Sequence, residues 1–206
     1  AMATTIWGTS SSWTLTALPL FVWMGEILFR TRLSENLFKG LSPWMQKLPG
    51  GLIHVNVVGC ALFAAISGSS AATVATVGKM SIPELRKRNY PEKILLGSLA
   101  GSGTLGLLIP PSIILIIYGV AVQESIAKLF IAGIIPGIMI ALIFMSYVII
   151  WSLINKKSMP KIIEEYSFLE KIKRSKQLLP VIILILAVIG SIYTGIATAT
   201  EAASLG

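Results

Sequence analysis

The residue types able to do chemistry in this chain are small, neutral and oxygen-bearing, and they cluster in two places. Ile66-Ser67-Gly68-Ser69-Ser70 lies within the apolar region 50–83, and Gly101-Ser102-Gly103-Thr104 lies within the apolar run 94–122. Hard cations take oxygen ligands, and Na⁺ suits a set of neutral carbonyls and hydroxyls. Where backbone leaves a helix, carbonyls become available as such ligands, and the N-termini of resuming helices favour anions. Ser67, Gly68, Ser69, Ser70, Gly101, Ser102, Gly103 and Thr104 are therefore the candidate cation ligands. Ser69, Ser70, Thr73, Thr104 and Ser112 are the candidates to face a substrate. Close helix packing by small residues is the competing use of the same positions.

The second cluster continues to Ser112. Residues 101–112 hold three glycines, two adjacent prolines and three hydroxyl side chains inside a run long enough to cross a bilayer. Pro110 and Pro111 lack N–H groups and clash with carbonyls one turn back, so a helix breaks or kinks here. At membrane depth such a break is tolerated only where protein or water covers it.

Other reactive side chains have simpler readings. Glu26 and Arg30 are spaced for a helical ion pair. His54 and Asn56 suit interhelical hydrogen bonding, Cys60 is a small packing residue, and Tyr118 and Tyr193 are interface or packing aromatics. Thr198 or Thr200 can cap a helix carrying Glu201 in its first turn, and all three also remain possible site residues. One histidine and one cysteine exclude a multi-histidine metal site and an internal disulfide within the chain. No nucleophile elbow, metal cluster or P-loop is present, so an enzyme is not expected. No cofactor is expected beyond Na⁺ as coupling ion, and the energy source must be an ion gradient or another subunit.

The elements that must position these residues are membrane helices. The chain is 54% hydrophobic and only 13% charged, with no aspartate, about half the usual charged share. Its net charge of +8 does not point to nucleic acid, because sixteen of the seventeen Lys and Arg residues fall in three short segments, Lys128 being the exception. Basic residues beside apolar runs are an orientation signal. Residues 13–29 read as a first span. Residues 30–49 read as an amphipathic helix in the cytoplasmic interface, bent or interrupted at Pro43. Residues 94–122, 126–153 and 178–196 read as further spans, with a polar, basic connection over 155–177 and a new helix beginning at 198. The abrupt ends read as those of a piece of a longer protein.

Region 50–82 is either one long tilted helix or a re-entrant hairpin with its tip at Ser67–Ser70. Charge separates the two. A hairpin leaves all three basic clusters on one side, whereas a single crossing puts the first cluster opposite the others. The positive-inside rule favours the hairpin.

Ordered segments across nearly the whole chain then resemble one family. They are Ala17-Leu18-Pro19-Leu20-Phe21-Val22-Trp23-Met24-Gly25-Glu26, His54-Val55-Asn56-Val57, Phe63-Ala64-Ala65-Ile66-Ser67-Gly68-Ser69-Ser70-Ala71, Gly106-Leu107-Leu108-Ile109-Pro110-Pro111-Ser112, Ile131-Ala132-Gly133-Ile134-Ile135-Pro136-Gly137 and Thr194-Gly195-Ile196-Ala197-Thr198-Ala199-Thr200-Glu201-Ala202-Ala203. The chain resembles the large membrane (M) subunit of tripartite ATP-independent periplasmic (TRAP) transporters. The resemblance implies an all-α, ion-transporter-superfamily-like elevator fold, here its first inverted repeat. In that reading 1–49 is a scaffold-type span with an interfacial helix. Residues 50–122 are half of a transport domain, with hairpin 50–82 and broken helix 94–122. Residues 123–197 are two further spans, and 198–206 start the next helix.

The same resemblance implies Na⁺-coupled symport of small organic acids, C4-dicarboxylate-like or sialic-acid-like. It also implies a multi-pass subunit of the bacterial inner membrane, working with a small membrane subunit and a periplasmic substrate-binding protein. The family's Thr-Pro-Thr-Glu-Ala reads Thr198-Ala199-Thr200-Glu201-Ala202 here. The family chain is about twice as long, so this chain should hold half of a substrate site and not transport by itself. The alternatives are an anion/Na⁺ symporter that needs no binding protein and a non-transporting membrane scaffold.

Overall fold

The computed structural model describes Trp7, residues 13–160 and residues 166–205. Most of the polar stretch 1–12, and residues 161–165 of the basic connection, lie outside the described residues. Every regular element among the described residues is helical. After a 3-10 turn, Trp13–Thr16, helix α1 (Ala17–Arg30) buries Ala17, Phe21, Met24 and Gly25, a stripe at helical spacing. Glu26 and Arg30 form the expected pair at 3.0 Å, exposed to solvent.

Helix α2 (Leu33–Met45) contains Pro43 and is not interrupted by it. The proline falls in the last turn, where few hydrogen bonds remain to lose, and the Gln46 N–H still reaches Ser42 O at 3.1 Å. Its stripe of Leu33, Leu37, Phe38 and Leu41 is covered by protein.

Helix α3 (Ile53–Ser67) is buried nearly all round and is the hub of the fold. It packs on α1, α2, α4 (Ser70–Lys87), α5 (Glu92–Gly103) and the long helix α7 (Ile126–Ile154). Only Gly68 and Ser69 separate α3 from α4, and the two helices lie against each other as a helical hairpin. The second arm runs beyond the expected 82, through Pro83 to Lys87. Leu85, with 0% exposure, holds this extension in a cluster with Phe38, Leu52 and Leu95. Tertiary burial thus overrides the local cost of the proline.

Asn56 joins hairpin to neighbour. Its amide donates to Leu95 O at 3.2 Å and Ser98 Oγ at 3.0 Å on α5. Interhelical bonds of this type contribute about 1 kcal/mol each in membranes. His54 does otherwise: its Nε2–H donates to Pro49 O at 2.8 Å, five residues back. That bond staples the entry of α3 instead of bridging helices, which corrects the expectation for this residue.

Run 94–122 is broken. Helix α5 passes into a 3-10 turn, Thr104–Leu107, then irregular backbone with a cis Pro110–Pro111 bond, then α6 (Ile113–Val122). Helix α7 follows, then α8 (Phe168–Ser175), a 3-10 turn Lys176–Leu178, α9 (Leu179–Tyr193) and α10 (Ala199–Leu205). The last span ends at Tyr193, short of the expected 196, because Gly195 turns the chain at φ +73° and the Ala197 N–H closes back on Ser191 O at 3.0 Å.

Among the described residues, two helical stretches are long and apolar enough to cross a bilayer, Ile126–Ile154 and Phe168–Tyr193. The first, 29 residues, extends about 44 Å at 1.5 Å per residue, more than the hydrocarbon core of about 30 Å. Polarity is inverted relative to a protein in water. Ser67, Thr73, Thr76, Ser81, Ser102 and Ser112 are fully buried, while Ile135, Leu142, Ile143, Ile150, Ile183 and Leu186 are exposed. A bilayer is the solvent that rewards that arrangement.

Candidate functional site

The hairpin tip meets the break in α5–α6. Gly68 ends α3 in the left-handed conformation, φ +60°, with its N–H on Ala64 O at 3.1 Å. Glycine adopts that conformation without a Cβ penalty. Its carbonyl accepts from the Ile113 N–H at 3.3 Å, so the tip caps the resuming helix α6. A Cβ on Gly68 would stand 2.6 Å from Pro111 O. Across the 3-10 turn, a Cβ on Gly106 would stand 2.8 Å from Ser70 N and 2.9 Å from Ser69 C. Gly103 accommodates Val74 of the second arm, and Gly25 of α1 lies against Ser67, 3.0 Å from a Cβ to Ser67 Cβ. Glycines on three elements let backbones close on one tip.

The tip's hydroxyls are differently engaged. Ser67 is fully buried and its hydroxyl pairs with that of Thr73 at 3.0 Å. Ser69 starts α4, its Oγ accepting from the Ala72 N–H at 3.4 Å. Ser70 Oγ is buried and finds no partner among the described residues. In the break, Ser112 Oγ donates to Leu107 O at 2.6 Å. The carbonyls of Ile109, Pro110 and Pro111 accept no hydrogen bond from the described residues. The irregular path leaves these oxygens without helical donors, and the Ile113 N–H, which a continuous helix would aim at Ile109 O, goes to Gly68 O instead.

The structure thus brings together Ser67, Gly68, Ser69, Ser70, Gly103, Pro111 and Ser112. Thr73 stands behind the tip, fully buried. Three residues of the second cluster point elsewhere. Gly101 faces Phe144 of α7, 3.4 Å from a Cβ to the ring. Ser102 is buried against α3 and donates to Ser98 O at 2.5 Å. Thr104 is exposed, its hydroxyl on Gly101 O at 2.7 Å.

Thr198, Thr200 and Glu201 lie at the start of α10, which packs on α1 and α9. Thr198 N–H and Oγ1–H both donate to Glu201 Oε2 at 2.8 Å, and the Glu201 N–H reaches Thr198 Oγ1 at 3.3 Å. That reciprocal pattern is a capping box. Thr200 is buried beside it.

Sequence reasoning missed Gly25 and Gly106 as contact points and the carbonyls of Ile109–Pro111 as the least engaged oxygens. A glycine within each apolar helical stretch was the available signal for the first two.

Two interrupted helical elements meeting inside an apolar exterior define a helical membrane protein with a polar interior junction. A model of the family described as "Tripartite ATP-independent periplasmic transporter, DctM component" matches residues 1–206. The chain belongs to that family. It is 36% identical over 206 residues to the C4-dicarboxylate TRAP transporter large permease protein DctM of Pseudomonas aeruginosa, covering 100% of this chain and 47% of that protein. Against the sialic acid TRAP transporter large permease protein SiaM of Vibrio cholerae, identity is 34% over 200 residues, covering 96% and 46%. Against the ectoine TRAP transporter large permease protein TeaC of Halomonas elongata it is 35% over 191 residues, covering 92% and 44%. The chain therefore spans about half the length of the curated relatives it matches. These relatives are permease proteins of transporters, the class expected in place of an enzyme.

Proposed function

We propose that this chain is part of the membrane subunit of a Na⁺-coupled secondary transporter that imports small organic acids of the C4-dicarboxylate or sialic-acid kind. A periplasmic binding protein delivers the acid, a small membrane subunit completes the scaffold, and the assembly sits in the bacterial inner membrane as a multi-pass elevator. The hairpin over 50–82 is re-entrant in this reading. The observation that carries it is the seating of Gly68–Ser70 in the α5–α6 break.

Oxygens of that junction are suited to a dehydrated monovalent cation. The carbonyls of Ile109–Pro111 lack donors and Ser70 Oγ lacks a partner, and neutral oxygens bind hard cations without a fixed negative charge. The first turns of α4 and α6 start at the same place, and their N–H groups favour a carboxylate. Cation and acid would then neutralise each other across the tip. The relatives' printed names, C4-dicarboxylate and sialic acid, support the acid class.

The experiment is uptake into proteoliposomes by the full-length permease with its small subunit and binding protein, under a Na⁺ gradient or with choline replacing Na⁺. Na⁺-dependent uptake that Ser70→Ala weakens in its Na⁺ dependence supports the reading. Equal uptake in choline overturns the coupling. Uptake that persists without binding protein moves the protein to the binding-protein-independent symporters, and no uptake in any condition with the assembly intact leaves a scaffold.

A further inference from the structure

A second recess, mostly apolar with two basic side chains, lies at the end of α7. It is a cavity of about 450 Å³, within the size range of small-ligand sites. The linker between α2 and α3 (Gln46 to Gly51), Tyr90 and the end of α7 with its following turn (Ser152 to Pro160) surround it. Gly50 makes the recess possible. At φ +101° its absent side chain lets the linker lie on α7, where a Cβ would stand 2.6 Å from Val148 Cγ1.

Among the described residues the charged part of the lining is basic. Lys47 of the linker and Lys156 after α7 both line it. The ion pairs among the described residues are Glu26–Arg30, Glu35–Lys39, Glu84–Arg88 and Glu92–Arg86, so neither lysine is neutralised there. Ser152 lines the same cavity. Part of the negative end of α7 is already covered, because Asn155 donates both its backbone N–H and its side-chain amide to Trp151 O at 2.9 Å. Leu48, Leu153 and Met159 give the recess an apolar wall, continuous with Ile150 and Ile154, exposed at 57% and 76% on α7.

We infer that this recess binds the phosphate-bearing headgroup of an acidic phospholipid, with Lys47, Lys156 and Ser152 on the phosphate and the acyl chains along α7. A bilayer-crossing helix ends there, which places the recess at headgroup depth, and basic pockets beside spanning helices take acidic lipids. The inference assumes that the basic clusters face the acidic leaflet. It is independent of Na⁺ coupling, because its readout is binding.

The test is native mass spectrometry of the full-length permease with dioleoylphosphatidylglycerol or dioleoylphosphatidylcholine in nonionic detergent. Retained phosphatidylglycerol in preference to phosphatidylcholine is expected. Lys47→Gln with Lys156→Gln should weaken it roughly 30-fold, two charges each contributing about fivefold near an acidic surface. Ser152→Ala should weaken it several-fold, with the fold intact. No preference for phosphatidylglycerol overturns the inference. So does an equal loss in a control, Lys171→Gln with Lys173→Gln, which removes the same charge elsewhere. Inorganic phosphate displacing the lipid at millimolar concentration identifies a soluble anion and overturns the lipid assignment.

Discussion

Gly68→Ala tests whether the tip is seated where the geometry puts it. Two costs arise and can be separated. The left-handed backbone at φ +60° costs a non-glycine residue about 1–2 kcal/mol. The new methyl would also stand 2.6 Å from Pro111 O, where ordinary contact begins at 3.4 Å. Backbone on one side must therefore withdraw by roughly 0.8 Å, a tight-core intrusion costing about 1–3 kcal/mol. The sum is on the order of 2–5 kcal/mol. Gly195→Ala is the built-in reference, since Gly195 has φ +73° and nothing within 4 Å of a Cβ; it should show the conformational cost alone. Thermal unfolding of the full-length permease in detergent measures both. In proteoliposomes Gly68→Ala should also lose most uptake, because the Gly68 O to Ile113 N bond and the Ser70 environment shift together. If Gly68→Ala destabilises no more than Gly195→Ala, the tip does not rest on Pro111 and the site reasoning fails.

Gly97→Ala should stabilise the protein by up to about 1 kcal/mol, because Gly97 lies inside α5 with nothing within 4 Å of a Cβ; a loss of stability measured by the same thermal scan would contradict the packing of α5. Ser70→Ala removes a buried hydroxyl without a partner and should raise stability by about 1 kcal/mol in Na⁺-free buffer, while shrinking the extra stabilisation that Na⁺ provides; an unchanged Na⁺ increment excludes Ser70 as a ligand. Glu201→Ala should cost about 1 kcal/mol through the lost capping box, and Glu201→Gln should recover most of it. If Glu201→Gln restores stability and uptake remains absent, Glu201 does more than cap.

The helices were legible because an apolar run in this chain has few readings, and the hairpin because Ser67-Gly68-Ser69-Ser70 interrupts such a run where basic residues flank both ends. Prolines misled. Pro43 and Pro83 look like boundaries, yet Pro43 falls in a last turn with few hydrogen bonds to lose and Leu85 is buried so well that its helix continues past Pro83. At the candidate site, composition located both partners but not which oxygens remain available. Ser102 and Thr104 resemble ligands by type, and each donates to its own helix backbone, a use that spacing alone does not reveal. The carbonyls of Ile109–Pro111 are invisible to side-chain reasoning, because their availability follows from the irregular backbone path and from the Ile113 N–H being taken by Gly68 O.

The contact of Gly25 with Ser67 has a mechanical side. Most helix pairs interlock through side-chain ridges set in grooves, which resist sliding along the axis. At Gly25 there is no ridge, since it presents bare backbone to a small serine, whereas Phe21 and Met24 share a core cluster with Phe63 and Ile66. The tip is therefore gripped by side chains below and touched by backbone at its end, so any bulk added at Gly25 presses directly on Ser67.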